Sequence, residues 1–201
     1  MKKKHWDLYA PIYNLFMKKD EKAYKQMYRL IQESTASKEV LELATGTGLI
    51  ANNIADSSKH ITATDYSEKM IAEAKKSQQH TNICFEIADA CALQYEEALF
   101  DVVIISNALH IIPEPEKVIS EIRRVLKPGG ILIAPTFVHG KMNAPAKMLS
   151  KIMSLAGFRT ENKWTGETYA AFLRNNGCKI KRQIMLDASF PLAYMECIIE
   201  C

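Results

Sequence analysis

Short apolar runs rich in β-branched residues alternate with longer amphipathic stretches through the middle of the chain. Five of these runs have the length and composition of strands: Val40–Leu43, Ile61–Thr64, Ile83–Ala88, Val102–Ser106 and Ile131–Thr136. Between them, Ser67 is placed to cap one helix and Pro115 to open another. The run 101–106 is apolar almost throughout, which is typical of a strand covered on both faces. The alternation predicts an α/β fold with a doubly wound, mostly parallel sheet.

The two ends of the chain have different patterns. Residues 6–33 have helical spacing, and helices are also predicted over Ala144–Ala156 and Thr165–Asn175. Two further extended runs follow, Lys179–Leu186 and Ala193–Glu200, and a short loop joins them. Strands joined by a short connection pair in the antiparallel sense. We therefore expect a seven-stranded sheet with one antiparallel strand near its edge.

The length and composition are those of one ordinary globular domain. The chain has 201 residues, of which 48% are hydrophobic and 24% charged. Its net charge of +3 is small and its Lys and Arg residues are dispersed, so no nucleic-acid partner is expected. No apolar run reaches the roughly 20 residues of a membrane span. The cytoplasm is the expected compartment, although Lys2–Lys4 beside Trp6 would also suit peripheral contact with an anionic membrane.

The cysteines give no sign of a disulfide framework or of a zinc site. There are five of them: Cys84, Cys91, Cys178, Cys197 and Cys201. Their number is odd and no pair has Cys-x-x-Cys spacing. We expect reduced thiols and no bound metal.

The strongest local signal is a glycine-bearing turn between a strand and a helix, within Val40–Ala51. Gly46 and Gly48 allow the backbone to bend sharply and allow a ligand to approach where a β-carbon would collide. A helix beginning near Leu49 would point free N–H groups at that ligand. Asp65 ends the second strand 17 residues after Gly48, where a carboxylate can accept hydrogen bonds from both ribose hydroxyls of a nucleoside. The turn and the acid together predict a nucleoside site.

Two families of enzymes share such a turn. The spacing Gly46-x-Gly48-x-x-Ala51 fits the dinucleotide fingerprint of nicotinamide-dependent oxidoreductases. The longer run Glu42-x-Ala44-x-Gly46-x-Gly48 resembles the Glu-x-Gly-x-Gly-x-Gly signature of the class I S-adenosylmethionine-dependent methyltransferases, with alanine in place of the first glycine. That alanine should be tolerated if the position has a negative φ. None of the eight tyrosines is followed four residues later by a lysine, so the proton donor common in short-chain dehydrogenases is missing.

The methyltransferase resemblance extends over residues 39–136. The segment Phe100–His110 resembles the family's fourth strand, whose end reaches the reacting methyl group, and 126–133 is similar to the loop and start of its fifth strand. The segment Trp6–Asn14 is similar to the ubiquinone/menaquinone-biosynthesis type and its small-molecule relatives. The resemblance implies a Rossmann-like methyltransferase fold with S-adenosylmethionine as the cofactor. It also implies in-line transfer of the methyl group to a small-molecule acceptor.

Residues for the adenosine half of that cofactor lie at the ends of the second and third strands. Asp65 is assigned to the ribose, with Tyr66 and Met70 as walls beside it. The resemblance assigns Asp89 and Ala90 to the adenine edge.

Residues for the methionine half lie in the glycine turn and at the end of the fourth strand. The resemblance places the first group around the amino acid portion of the cofactor: Glu42, Ala44, Thr45, Gly46 and Gly48. Asn107 and Ala108 are expected beneath the sulfonium. Glu42 has an alternative role, in which it only braces the turn.

Four further residues are candidates for closing the site or for moving a proton. Tyr9 and Tyr13 lie four residues apart and would form a lid over the cofactor, or alternatively would pack against the sheet. His110 and His139 follow the fourth and fifth strands, at the sheet edge where ligands bind in open α/β folds. Either histidine is a candidate catalytic base for the acceptor, with a pocket wall or surface position as the alternative.

We expect a single methyltransferase domain over residues 1–201. Its parts are a helical lid segment (1–33), a cofactor-binding core (39–136), and acceptor-side helices with a terminal strand pair (137–201). The partner is a small-molecule methyl acceptor, and the chain is expected to be a monomer or a homodimer. A lipid- or quinone-directed methyltransferase is the main alternative. An NAD-dependent oxidoreductase and a cofactor-binding protein without turnover are further ones.

Overall fold

The computed structural model describes residues 20–140 and 161–199 as alternating helices and strands. In chain order the elements are α1 (Glu21–Thr35), β1 (Glu39–Leu43), α2 (Leu49–Ile54), β2 (His60–Asp65), α3 (Glu68–Lys76), β3 (Ile83–Ile87), β4 (Phe100–Ile105), α4 (Pro115–Val125), β5 (Leu126–Ile133), β6 (Thr136–Phe137), α5 (Gly166–Asn175), β7 (Cys178–Leu186) and β8 (Leu192–Ile199). None of the helices in these two ranges combines the length and apolar character needed to cross a bilayer. The helix predicted over Ala144–Ala156 lies outside the described residues.

All strands join one mixed sheet. The strands β3, β2, β1, β4 and β5 are parallel neighbours in that order. The strand β8 follows β5 in the antiparallel sense, and β7 pairs with the other side of β8. The predicted doubly wound, mostly parallel sheet with one reversed strand near its edge is therefore confirmed.

Within residues 20–140 and 161–199 the sheet has eight strands rather than the predicted seven, because the run Ile131–Thr136 is interrupted. β5 ends at Ile133 and β6 begins at Thr136, and both pair with β8. Pro135 lies in the gap and has no N–H to give to the ladder. The extra strand is thus the continuation of the fifth strand beyond a proline.

The start of β5 also differs from the prediction. The Pro-Gly-Gly segment 128–130 was expected to be a loop, but β5 already begins at Leu126, which pairs with Phe100. The register then shifts, so that Val102 pairs with Ile131 and the intervening residues bulge out of the ladder. The ion pair between Lys127 and Asp101, 2.9 Å long, holds the bulge beside β4.

Helices cover both faces of the sheet, which buries the apolar side chains of the parallel strands. Alternate residues of β1 enter different cores: Val40 packs with residues of α1, α2 and α3, and Leu41 packs with residues of α4 and α5. The carboxyl ends of β1, β2, β3 and β4 meet at one edge of the sheet, and the connections that follow them build the candidate site there.

The helix α1 is the described part of the predicted lid segment, and it packs against the sheet. Its buried side chains include Tyr24, Met27 and Ile31. Asp20, just before the helix, accepts hydrogen bonds from the backbone N–H and the hydroxyl of Ser189, both 2.8 Å long. These bonds fix the start of α1 relative to the β7–β8 connection.

Candidate functional site

The glycine turn lies between β1 and α2 and has the conformation that its sequence predicts. Gly46 and Gly48 have φ angles of +58° and +78°, in the left-handed region that favours glycine. A β-carbon at Gly48 would lie 2.7 Å from Cζ of the buried Phe85 and 3.2 Å from Cβ of Ala74. Glycine is therefore required at position 48 both by the backbone angle and by the close approach of β3 and α3.

Ala44 also has a left-handed backbone, so the expectation of a negative φ at this position was wrong. Its φ is +54°, whereas we expected the alanine to be tolerated through a negative φ. A residue with a β-carbon costs about 1–2 kcal/mol in this region. The first position of the motif therefore has a backbone conformation that favours glycine, although the residue there is an alanine.

Replacing Ala44 with glycine should stabilise the protein. The relief of strain exceeds the additional freedom that glycine gives the unfolded chain, so we expect a net gain of about 0.5–1 kcal/mol and a Tm roughly 1–4 °C higher. Ala51→Gly, within α2, is the matched control and should lower the Tm, because glycine is unfavourable inside a helix. Thermal unfolding of both variants checks this, and an unchanged or lower Tm for Ala44→Gly would contradict it.

Asp65 ends β2 and holds the glycine turn through both carboxylate oxygens. Oδ2 accepts from the backbone N–H of Gly46 at 2.9 Å, and Oδ1 accepts from that of Ser67 at 2.8 Å. These two bonds fix the orientation of the carboxylate beside the glycine turn. Tyr66 next to it is half exposed, whereas Met70 is buried below.

The predicted adenine residues follow the neighbouring strand. Asp65 is the register partner of Ile87 at the end of β3, and the Ala88 N–H donates to the Asp65 carbonyl oxygen at 3.1 Å. Asp89 is exposed, and its Oδ1 accepts from the backbone N–H of Cys91 at 2.9 Å. The fold thus brings Asp65 and the segment Asp89–Ala90 to adjacent strand ends.

Glu42 is buried inside β1 and carries a strongly perturbed carboxyl group. It is only 2% exposed. Burial raises its pKa to about 8; the nearby Thr45 hydroxyl and Ala51 N–H counteract that rise, and the charge of Asp65 adds to it. The Thr45 hydroxyl nevertheless falls short of hydrogen-bond geometry, because Glu42 Oε2 and Thr45 Oγ1 both have no partner. A buried carboxyl group whose oxygen has no partner in the protein is suited to a ligand that donates a hydrogen bond to it.

Three buried side-chain oxygens of the predicted site residues have no hydrogen-bond partner. Within residues 20–140 and 161–199, the buried side-chain atoms that lack a hydrogen bond are Glu42 Oε2, Thr45 Oγ1 and Asn107 Oδ1. All three belong to residues predicted from the sequence. A buried acceptor without a partner costs about 1–3 kcal/mol, so a cluster of them indicates a ligand that supplies several N–H donors.

A small cavity lies beside Glu42, and two residues of α1 line it. Its volume is about 20 Å³, enough for one group the size of a water molecule or an ammonium. Tyr24, Tyr28 and Ser106 line it together with residues of the glycine turn. Sequence reasoning missed these three. The i, i+4 spacing of Tyr24 and Tyr28 on an amphipathic helix was the available signal for two of them.

The end of β4 forms the floor of the site. Asn107 has a φ of +52°, and its backbone N–H donates to the Pro135 carbonyl oxygen at 2.8 Å. Its Nδ2 donates to the hydroxyl oxygen of Tyr24 at 3.1 Å. Ala108 is buried beside it. Asn107 therefore connects the end of β4 to Pro135, which precedes β6, and to Tyr24 of helix α1.

The two candidate histidines lie near each other, in different surroundings. His110 is buried, its Nδ1 is 2.9 Å from Thr136 Oγ1, and burial, with a smaller contribution from His139, lowers its pKa to about 4. It is therefore neutral at physiological pH and a weak proton acceptor. His139 is exposed, and its backbone N–H donates to the Trp164 carbonyl oxygen at 2.6 Å. A role as base remains a prediction for both, and Tyr9 and Tyr13 lie outside the described residues.

The central segment of the chain matches one known family. Residues 41–134 match the family described as a methyltransferase domain. The matched segment runs from β1 to the end of β5 and contains the glycine turn, Asp65, the Asp89 loop and Asn107.

Solved structures share the fold of the methyltransferase domain. A chain of the complex between the Haloferax volcanii Trm112 methyltransferase activator and its methyltransferase matches with a TM-score of 0.84 at 15% identity, covering 99% of this chain and 97% of that one. Magnesium protoporphyrin IX methyltransferase from Synechocystis, solved with bound S-adenosylhomocysteine, matches with a TM-score of 0.69 at 20% identity, covering 91% and 86%. The [4+2]-cyclase SpnF has the same TM-score of 0.69 at 20% identity, covering 87% and 80%. These similarities establish the fold.

Curated relatives match about half of this chain. A demethylmenaquinone methyltransferase of Renibacterium salmoninarum is 38% identical over 100 residues, which is 50% of this chain and 41% of that protein. A ubiquinone/menaquinone biosynthesis C-methyltransferase of Bdellovibrio bacteriovorus is 35% identical over 114 residues, 55% of this chain and 48% of that protein. The chain thus spans less than half the length of these two relatives.

Proposed function

We propose that this protein binds S-adenosylmethionine and transfers its methyl group to a small-molecule acceptor. The observation that carries the proposal is the cluster of acceptors without a partner beside the glycine turn, at Glu42, Thr45 and Asn107. An amino acid ammonium offers three N–H donors and a positive charge, and these three oxygens are suited to receive it. The methyltransferase domain match and the relatives with that activity support the same conclusion.

The residues present fit the remaining parts of this cofactor. The left-handed backbone at Gly46 and Gly48 forms the turn beside Asp65, and the hydrogen bond from the Gly46 N–H to Asp65 Oδ2 joins the two parts of the site. Asp65, whose carboxylate is oriented by two backbone N–H groups at the end of β2, is proposed to accept hydrogen bonds from the ribose hydroxyls. Asp89 and Ala90 are proposed to contact the adenine edge, with half-exposed Tyr66 and exposed Ile87 beside it.

Methyl transfer from a sulfonium requires little chemical catalysis from protein side chains. The cofactor supplies an activated methyl group on a sulfonium, so the protein contributes mainly position and the exclusion of water. Positioning can supply roughly 7–11 kcal/mol of the barrier. Glu42 and Asn107 would hold the amino acid end, and Asp65 the nucleoside end. Buried Ala108 and Leu109 would exclude water from the floor between them.

The acceptor is proposed to approach from the ends of β4 and β6. Aromatic side chains gather there, with the rings of His110 and Phe137 6.3 Å apart and those of Phe137 and Phe190 5.8 Å apart. Such walls suit a small apolar or aromatic acceptor. The quinone-directed relatives favour the same class over lipids.

Transfer of a labelled methyl group tests the proposal. The chain is incubated with methyl-labelled S-adenosylmethionine and separate panels of phenols, quinols, amines, thiols and lipids. We expect label in one small-molecule class, and S-adenosylhomocysteine formed in equal amount. Binding of the cofactor without transfer to any panel would instead indicate a cofactor-binding protein without turnover.

Asp65→Asn should weaken binding of both S-adenosylhomocysteine and 5′-methylthioadenosine, which share the ribose. Loss of a charged acceptor is expected to lower both affinities by about 10- to 100-fold. Asp56→Asn is the control, because the Asp56 side chain is 92% exposed and lies at the opposite edge of the sheet, beyond α2. Calorimetric titration checks this, and unchanged affinities for Asp65→Asn would remove the carboxylate from the nucleoside site.

A further inference from the structure

Tyr24 of helix α1 is buried and contacts Asn107, which follows β4 in the candidate site. Tyr24 is 4% exposed, and its hydroxyl accepts a hydrogen bond from Asn107 Nδ2 at 3.1 Å. The two residues are 83 positions apart in the chain. The bond therefore joins the helix that precedes β1 to the residue that follows β4.

The position of Tyr24 is fixed from outside the site. Its backbone N–H donates to the Asp20 carbonyl oxygen at 3.1 Å, within the first turn of α1. The Asp20 carboxylate is in turn held by Ser189 of the β7–β8 connection. The ring of Tyr24 packs 6.1 Å from that of Tyr28, in the core between α1 and the sheet. Tyr24 is thus a rigid partner for the side chain of Asn107.

The backbone of Asn107 is fixed by its contacts, and the orientation of its side-chain amide is the main conformational variable that is left. Its backbone is held in the left-handed region at φ +52° and is bonded to Pro135. The side-chain amide has a donor end and an acceptor end, and rotation by half a turn exchanges them. With Nδ2 on Tyr24, the acceptor Oδ1 is the end left buried without a partner. The same rotation would present donors to the ligand instead.

We infer that Tyr24 is a positioning residue, which orients the Asn107 amide so that its oxygen joins Glu42 in receiving the ammonium of the ligand. This inference rests on the proposed function. Tyr24 lines the cavity beside Glu42 and its hydroxyl is bonded to Asn107, so its effect is expected on ligands that carry the amino acid group. An S-adenosyl ligand without that group should not depend on Tyr24.

Two nucleosides separate this role from a general one. S-adenosylhomocysteine has the amino acid tail, and 5′-methylthioadenosine has the same nucleoside and sulfur without it. For Tyr24→Phe, which keeps the ring and removes the hydroxyl, we expect about tenfold weaker binding of the first ligand and unchanged binding of the second. Titration calorimetry on the full chain measures both, and thermal unfolding verifies that the variant is folded.

A double-mutant cycle tests whether Tyr24 acts through Asn107. Asn107→Ala alone should weaken S-adenosylhomocysteine binding about as much as Tyr24→Phe or more, and adding Tyr24→Phe to it should cause no further loss. Tyr28→Phe is the matched control on the same helix, and its effect should add to that of Asn107→Ala. Additive effects of Tyr24→Phe and Asn107→Ala would overturn the inference.

Two other outcomes are also decisive. Wild-type affinity of Tyr24→Phe for S-adenosylhomocysteine, or equal losses for both nucleosides, would overturn the role of Tyr24 while the proposed function stands. A wild-type chain that binds neither nucleoside would overturn the proposed function, and the inference with it.

Discussion

Replacing Glu42 with glutamine is expected to stabilise the protein at alkaline pH and to weaken its binding of S-adenosylhomocysteine. Burial raises the pKa of this carboxyl group from 4.5 to about 8. Between these values the folded state keeps a proton that the unfolded state has released. The free energy of unfolding therefore declines as pH rises from about 4.5 to about 8 and is constant above that. The full penalty is on the order of 5 kcal/mol.

Glutamine has nearly the same shape and no charge to bury, so it avoids most of this penalty. At pH 9 we expect Glu42→Gln to be more stable than the wild type by about 2–4 kcal/mol, with little difference at pH 5. Its affinity for S-adenosylhomocysteine should fall by about 10- to 100-fold, because glutamine cannot release a proton to form the charged acceptor that the ammonium would stabilise. Urea unfolding at the two pH values and calorimetric titration measure these effects. Stability differences that are equal at pH 5 and pH 9 would contradict the account of Glu42.

Gly48→Ala is expected to destabilise the protein strongly. The new β-carbon would lie 2.7 Å from Phe85 Cζ, in a backbone with φ +78°. The left-handed backbone costs about 1–2 kcal/mol and the overpacking about 1–3 kcal/mol more. Phe85 is buried and cannot move aside freely. A total of about 3 kcal/mol corresponds to a Tm lower by roughly 6–12 °C.

Gly129→Ala separates the two contributions. Gly129 has a similar φ of +74°, but a β-carbon there would have no atom within 4 Å. It should show the cost of the backbone alone, a Tm lower by roughly 2–6 °C. Combining Gly48→Ala with Phe85→Leu should recover part of the loss, because the shorter side chain makes room. If Gly48→Ala and Gly129→Ala are equally stable, the close approach of Phe85 is not what requires glycine in the turn.

Much of the fold was predictable because its signals are local and periodic. The short, β-branched apolar runs before Gly46 and Asp65 are typical of buried strands, and the turn and the acid that follow such strands meet at one edge of a parallel sheet. The strand pair β7–β8 followed in the same way from a short connection. Pro135, visible in the sequence, was the signal for the interrupted fifth strand.

The rest depends on tertiary contacts that no local pattern contains. Helix α1 precedes the glycine turn, and only the packing of its apolar face on the sheet brings Tyr24 to Asn107. The positive φ of Ala44 is imposed by the turn and not by the residue itself. The raised pKa of Glu42 is likewise a result of burial, which the sequence shows only as an acid in an apolar run.

The central claim is that the glycine turn, Asp65 and the acceptors around Glu42 bind an adenosine with an amino acid tail. Calorimetric titration of the purified chain with S-adenosylhomocysteine and with NAD⁺ tests this most directly. We expect saturable binding of S-adenosylhomocysteine at micromolar concentration and no heat of binding with NAD⁺. Saturable binding of NAD⁺ together with no binding of S-adenosylhomocysteine would contradict the account and favour a dinucleotide site.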